Sequence, residues 1–350
     1  MRDVTLLWAL RSPCNLGCRY CYFGTIEEHR ITSPTGAGAL SHLSRTDLGL
    51  EEISAFLSTI GESAVRRVFI AGGEPLIWPH TLDVVQTLTA AGVRVVLCTN
   101  GIPLNRSEII ERILELGVEA VSVSLDSPDP AANDRYRPSR NRIHGWTDVV
   151  SGLRHLLAAR GDRRFPRVGL YAVITRRSIA SVRGVAEFGA DLGVDYYVPQ
   201  PISLADDHPL SDELGLREQD AAALATALDD LYQAGLQISL PDGSYPDQFT
   251  SSIATATPRF VPGCFGGHTL FFIEPDGSVW DCPATDKIAT TPTDRHRTIR
   301  GHQAAHLFGA HRHTCPADCA LGSRDCVNMW PLMDFDRVSH VPPEARPWAI

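Results

Sequence analysis

The sequence predicts an α/β fold: an open, partial (β/α)6 barrel of the TIM type, followed by a small cysteine-rich module containing a β-hairpin. Three observations predict it. Short apolar runs alternate with stretches of helical period from residue 5 to about residue 205. Residues suited to chemistry gather where each apolar run stops. A second group of cysteines lies beyond the last run, at 264–326.

In chain order, Leu6–Leu10 forms the first strand and stops at Ser12-Pro13. Val68-Phe69-Ile70 is the second, ending at Ala71-Gly72-Gly73-Glu74-Pro75, and His80 to Ala91 is helical. Val93 to Cys98 returns as a strand that ends in Thr99-Asn100-Gly101. Arg106 to Leu116 carries Ile109, Ile110, Ile113 and Leu114 on one face, with Gly117 as its stop. Ala120 to Leu125 is a strand ending at Asp126, and Trp146 to Arg160 is a helix. Val168 to Ile174 is a strand, Val182 to Leu192 a helix, and Tyr196-Tyr197-Val198 the sixth strand. Glu213 to Leu236 reads as one longer helix. Strands alternating with helices imply right-handed crossovers and a parallel sheet, with the reactive face at the C-terminal strand ends. The domain reading is a barrel core over 1–205, a helix and connector over 206–262 and a cysteine-rich module over 263–350.

Composition narrows the function classes. The chain has 350 residues, 43% of them hydrophobic, enough for a substantial core. A net charge of −9 argues against a nucleic-acid partner bound by phosphate neutralisation. No stretch approaches the ~20 apolar residues of a membrane helix, and residues 1–13 lack the features of a signal peptide. Nine cysteines without a secretion signal point to reduced thiols and metal in a cytoplasm.

The chemistry is concentrated in Cys14-Asn15-Leu16-Gly17-Cys18-Arg19-Tyr20-Cys21, a C-x3-C-x2-C loop. A loop can wrap three thiolates around one inorganic core. Since a cubane iron–sulfur cluster usually takes four cysteines, three leave one iron open to a small molecule. A zinc site would want a fourth ligand at paired spacing, and none lies nearby. A disulfide framework would leave one of nine cysteines unpaired. Cys98, within Val95-Val96-Leu97-Cys98, reads as a small buried hydrophobe.

These residues resemble the radical S-adenosylmethionine (SAM) superfamily. The likeness rests on the three-cysteine loop with Tyr20, on Gly72-Gly73-Glu74-Pro75 after the second strand, and on Thr99-Asn100-Gly101 and Ser122–Asp126. It covers roughly residues 5–205. The resemblance implies a [4Fe-4S] cluster on Cys14, Cys18 and Cys21, with SAM chelating the open iron. Gly72 and Gly73 would let backbone carbonyls approach the SAM ammonium, with Glu74 adding charge complementarity. Ser124 and Asp126 would bond ribose hydroxyls or the methionine carboxylate; Thr99 and Asn100 are second candidates, and Tyr20 would flank the adenine. For each polar residue a strand-end turn or helix cap is the alternative. An electron from a flavodoxin or ferredoxin would then lead to a 5′-deoxyadenosyl radical that takes hydrogen from a substrate C–H.

Beyond the core, Leu270–Glu274 and Ser278–Cys282 flank Pro275-Asp276-Gly277, a hairpin signal that brings Cys264 near Cys282. With Cys315, Cys319 and Cys326 this resembles the auxiliary-cluster modules called SPASM and twitch. Five cysteines rather than seven favour the shorter form, with one second [4Fe-4S] cluster. The expected ligands are Cys264, Cys282, Cys315 and one of Cys319 or Cys326. The remaining thiol would be inert or a hydrogen donor to the substrate. Zinc is the alternative occupant, and His311 and His313 keep it open.

The substrate expected is an amino sugar or aminocyclitol of specialised, antibiotic-like metabolism, undergoing epimerisation or dehydrogenation. Asp206-Asp207 and the acidic composition suit a cationic substrate, and we expect no peptide-binding domain ahead of Cys14. The alternatives are maturation of a ribosomally made peptide, by cross-linking or epimerisation, and a non-catalytic iron–sulfur or zinc protein.

Overall fold

The computed structural model describes residues 3–21, 47–139, 145–204, 207–254, 259–309 and 318–339. Six parallel strands lie in chain order, each beside the one before: β1 (Val4–Arg11), β2 (Val65–Gly72), β3 (Arg94–Thr99), β4 (Ala120–Ser124), β5 (Arg167–Ile174) and β6 (Tyr196–Pro201). Helices α1 (Leu50–Leu57), α2 (Thr81–Ala90), α3 (Ser107–Leu116), α4 (Pro130–Tyr136), α5 (Trp146–Arg160) and α6 (Val182–Leu192) link or flank them. This is the partial barrel that the alternation of apolar runs predicts.

Strand residues alternate between two cores. Leu6, Trp8 and Leu10 point to the helices, whereas Leu7 and Ala9 point to the concave inner face with Phe69, Ala71, Val96 and Phe272. Apolar side chains on both faces explain why the strands read as continuous apolar runs. The inner face is filled at the N-terminal strand ends. Phe335, on the helix Phe335–Val338, meets Phe69 and Tyr196 edge-on, with ring centroids 5.2 and 5.5 Å apart. Below it, buried Arg67 forks onto Glu119 at 2.8 and 2.9 Å and reaches Asp336, which Arg94 also contacts at 2.8 Å. One barrel mouth is thereby plugged, leaving the C-terminal strand ends open.

Two differences from the sequence reading matter. The expected helix Glu213–Leu236 is broken: a short turn of helix stops at Gly215, and α7 (Ala221–Gln233) starts afresh. A Cβ at Gly215 would lie 2.5 Å from the Ser211 carbonyl, so the chain can turn there only without one. Helix α8 (Tyr245–Ile253) and β7 (Arg259–Val261) follow. The hairpin, β8 (Leu270–Ile273) and β9 (Ser278–Trp280), forms over Asp276-Gly277. It does not stand apart from the barrel. Strand β8 runs parallel to β1, pairing Thr5 with Leu270 and Trp8 with Ile273, and β10 (Arg297–Thr298) extends the sheet to nine strands. The driving force is the open hydrogen-bonding edge of β1, which the hairpin satisfies. Strand β11 (Cys319–Gly322) pairs with β7, and α9 (Arg324–Met333) runs from it across the barrel interior.

Candidate active site

A cleft of about 250 Å³ opens at the C-terminal strand ends. Its rim carries Cys14, Cys18 and Cys21, and its walls include Gly72, Gly73, Thr99, Asn100 and Ser124. The cysteine loop is held from two sides. Gly73 and Glu74 donate backbone N–H to the Arg11 and Pro13 carbonyls, at 2.8 and 2.9 Å. Gly17 and Arg19 donate to Pro138 and Tyr136, each at 2.8 Å.

The glycine pair serves this docking. A Cβ on Gly73 would lie 2.2 Å from the Pro13 carbonyl oxygen, and one on Gly72, at φ +130°, would lie 2.5 Å from that of Arg11. The absent side chains therefore let the strand leading to Cys14 lie flush against β2, in addition to lining the cleft.

Glu74 is tied into the strand ends. Its carboxylate is fully buried and turned inward: Oε1 accepts from Leu76 N–H at 3.0 Å and Thr99 Oγ1 at 2.9 Å, and Oε2 from Asn100 N–H at 2.6 Å. It clamps the ends of β2 and β3 together. Burial pushes it up to about 7, against those three donors. Asn100 reaches the loop instead, Nδ2 donating to Asn15 Oδ1 at 2.6 Å and lying 3.8 Å from Cys14 Sγ.

Asp126 is likewise consumed within the protein. It accepts from the Tyr20 hydroxyl, from Arg137 Nη1 at 3.2 Å and from Val173 N–H at 2.7 Å. Tyr20 stays on the cleft wall, but its hydroxyl is tied to this carboxylate. Ser124 lines the cleft, and its carbonyl accepts from Arg137 Nη2 at 3.2 Å.

Arg137 is the residue that sequence reasoning missed. Asp129 caps α4 by accepting the Ala132 N–H at 2.7 Å, with Pro130 in the first turn, and the helix ends on Arg137. The Asp129-Pro130 pair was a readable start signal. What it aims was not, because Arg137 meets Asp126 only through the fold. The guanidinium is buried, its Nε has no partner, and it is electrostatically coupled to Cys14 and Cys18. Burial works against its charge, but Asp126, Cys18 and Tyr20 hold it protonated. Among the described residues lining the cleft it is the only charged side chain.

Cys98 packs against the inner-face apolar core, as its apolar run predicts, and also lines the cleft; burial pushes its thiol up to about 12, with Glu74 adding to it.

A second, smaller cavity lies beside the first, lined by Cys264, Cys282, Cys319 and Cys326. Both Cys319 and Cys326 belong to it, so neither is the thiol facing the first cleft. Cys315, His311 and His313 lie outside the described residues. Met329 on α9 lines both cavities and forms the wall between them.

The donor sets fit iron–sulfur clusters. Cys14, Cys264 and Cys319 each accept, at 3.4 Å, the N–H two residues on, and Cys282 does so from Ala284. Ser323 N–H points at Cys326 at 3.5 Å. Such N–H···S contacts stabilise thiolates and tune a cluster. Two of these thiols favour the protonated form: burial first, then Glu74, pushes Cys14 up to about 12, and burial, with Asp325 adding to it, pushes Cys326 up to about 11. Metal binding must release those protons. Among the described residues no three His, Cys, Asp or Glu are placed to hold a single metal ion.

Comparisons with known proteins come to the same core. The profile described as the radical SAM superfamily matches residues 13–189. The AdoMet-dependent heme synthase of Methanosarcina barkeri is 27% identical over 55% of this chain and 49% of its own length. The PqqA peptide cyclase of Xanthomonas campestris pv. campestris is 26% identical over 81% of this chain and 68% of its own. Streptococcus suis SuiB, solved with S-adenosylmethionine, superposes with a TM-score of 0.64 at 14% identity, over 89% of this chain and 66% of that one. The chain spans about half the length of the first curated relatives it matches.

Proposed function

Because the chain belongs to the radical SAM superfamily, and so works with a [4Fe-4S] cluster and S-adenosylmethionine, we propose that it modifies a peptide with the help of a second, auxiliary cluster. The observation that carries this is the four-cysteine cavity set one side chain, Met329, away from the SAM cleft. The likeness to the PqqA peptide cyclase supports it. An alignment over 81% of the chain must run well past residue 189, whereas that with the heme synthase covers 55%.

When bound, the cluster and SAM supply a 5′-deoxyadenosyl radical able to take a hydrogen atom from an unactivated C–H. Cys14, Cys18 and Cys21 would hold the first cluster. Arg137, with its spare Nε–H, would offset the negative charge of cluster and methionine carboxylate. Gly72, Gly73 and Ser124 shape the SAM end of the cleft, while Phe69, Leu332 and Met329 keep its floor dry. Cys264, Cys282, Cys319 and Cys326 would hold the auxiliary cluster, making Cys315 the cysteine left over. Electrons would come from a flavodoxin or ferredoxin.

The test is anaerobic incubation of the reconstituted enzyme with SAM, a reductant and candidate precursor peptides or aminocyclitols in D2O, read by mass spectrometry. Peptide-stimulated 5′-deoxyadenosine with loss of two hydrogens marks cross-linking or dehydrogenation. Solvent deuterium without mass loss of hydrogens marks epimerisation. Deoxyadenosine formation stimulated by aminocyclitols and by no peptide would refute the proposal.

A further inference from the structure

Helix α9 carries a second polar feature into the cleft, one residue before Met329. Asn328 is 7% exposed, and its Nδ2 donates to the Pro201 carbonyl at 3.2 Å. That bond fixes which end of the amide points where. Its Oδ1 is buried without a partner, on a residue that lines the cleft. A buried acceptor left without a donor is destabilising, so a fold tolerates one where something else fills it. The helix is clamped at this point, since Gln200 Nε2 donates to the Asn328 carbonyl at 3.4 Å.

Across the same cleft, Tyr171 on β5 presents a second orphan. Its hydroxyl is buried and has no partner, although the ring is held edge-on to Tyr196 at 6.4 Å. The two orphans are of opposite kind. Asn328 Oδ1 can only accept, whereas the phenol of Tyr171 can donate. A peptide unit carries one N–H and one C=O.

We propose that Asn328 and Tyr171 are the substrate-positioning pair of the cleft, Asn328 Oδ1 accepting a backbone N–H of the substrate and Tyr171 donating to a neighbouring C=O. The assignment rests on the peptide reading above and specifies how that substrate is held. Both residues sit on rigid elements, one on a barrel strand and one on the helix whose next residue walls off the auxiliary cysteines. A peptide gripped there lies against Met329, between the two cluster sites.

The test uses the enzyme with both clusters reconstituted and SAM bound, titrated with acetyl-alanyl-alanine methylamide by saturation-transfer NMR. The wild type binds. Asn328→Leu, close in shape, weakens binding tenfold or more; Tyr171→Phe weakens it several-fold; Asn328→Gln recovers part of the loss. The same dipeptide with every amide N-methylated binds the wild type no better than the parent binds Asn328→Leu. A merely structural role would not produce that match. Iron content and melting temperature of each variant establish that it is folded and loaded. Equal affinity of wild type and Asn328→Leu for the parent overturns the assignment and leaves the peptide reading standing. Binding of 2-deoxystreptamine in place of the dipeptide overturns the peptide reading and, with it, the assignment. Binding of neither probe overturns the assignment, because a site built for the peptide unit must take that unit.

Discussion

Replacing Arg137 by Met is the sharpest single perturbation of the SAM end of the cleft. The guanidinium is buried beside Asp126, which has three partners; removing Nη1 leaves the Tyr20 hydroxyl and Val173 N–H. The Ser124 carbonyl also loses its donor. Breaking a buried ion pair from one side costs about 3–5 kcal/mol, and two surviving donors place this case near the lower end, about 3 kcal/mol. Arg137→Lys keeps the charge without the fork and falls between. The double variant Asp126→Asn, Arg137→Met removes both charges and recovers most of the loss, a coupling that a double-mutant cycle reads directly. Anaerobic urea unfolding measures these costs, and titration calorimetry measures SAM affinity, expected to fall tenfold or more in Arg137→Met even where the protein stays folded. Unfolding within about 0.5 kcal/mol of the wild type, together with unchanged SAM affinity, would refute the electrostatic role given to Arg137.

Four further outcomes are expected. Changing Cys264, Cys282, Cys319 or Cys326 singly to Ala removes about half of roughly eight iron atoms per chain. The triple change at Cys14, Cys18 and Cys21 abolishes SAM cleavage and spares the other half; iron and sulfide analysis separates these results. Gly73→Ala forces a methyl against the Pro13 carbonyl, and its overpacking, on the order of 2–3 kcal/mol, should show as lower thermal stability and poor cluster loading. Burial pushes Glu274 up to about 8, although Trp280 Nε1 donates to it at 2.8 Å. Its contribution to stability is complete below the ordinary value of 4.5 and is lost as pH rises through 8. Relative to Glu274→Gln, the wild type should therefore lose about 3 kcal/mol of unfolding free energy between about pH 5 and pH 8.

Much of the fold was legible because each barrel strand is a short apolar run closed by polar or glycine residues, and those closures share one face by topology. The three-cysteine loop at Cys14–Cys21 was legible because spacing within a loop is local. What stayed hidden depends on pairing distant in sequence. Asp126 and Glu74 stand where ligand contacts would, but their partners, Tyr20, Arg137, Thr99 and Asn100, come from other elements. That Cys98 also lines the cleft was not legible, because both faces of a barrel strand are apolar and its run shows no alternation to separate lumen from shell. The grouping of Cys319 and Cys326 with Cys264 and Cys282 depends on β7 pairing with β11, which spacing alone does not fix.

The pairing of β8 with β1 has a consequence for how the protein is made. The strand that delivers the radical-site cysteines has one neighbour at residues 65–72 and the other at residues 270–273. During synthesis the six-strand half can assemble early, but Val4–Arg11 keeps a bare hydrogen-bonding edge until the hairpin has left the ribosome. Such an edge recruits other chains. Until the hairpin docks, the strand that leads to Cys14 is anchored on one side alone. The hairpin thus acts as a late-arriving seal, and its loss should send nascent chains toward aggregation before it touches turnover.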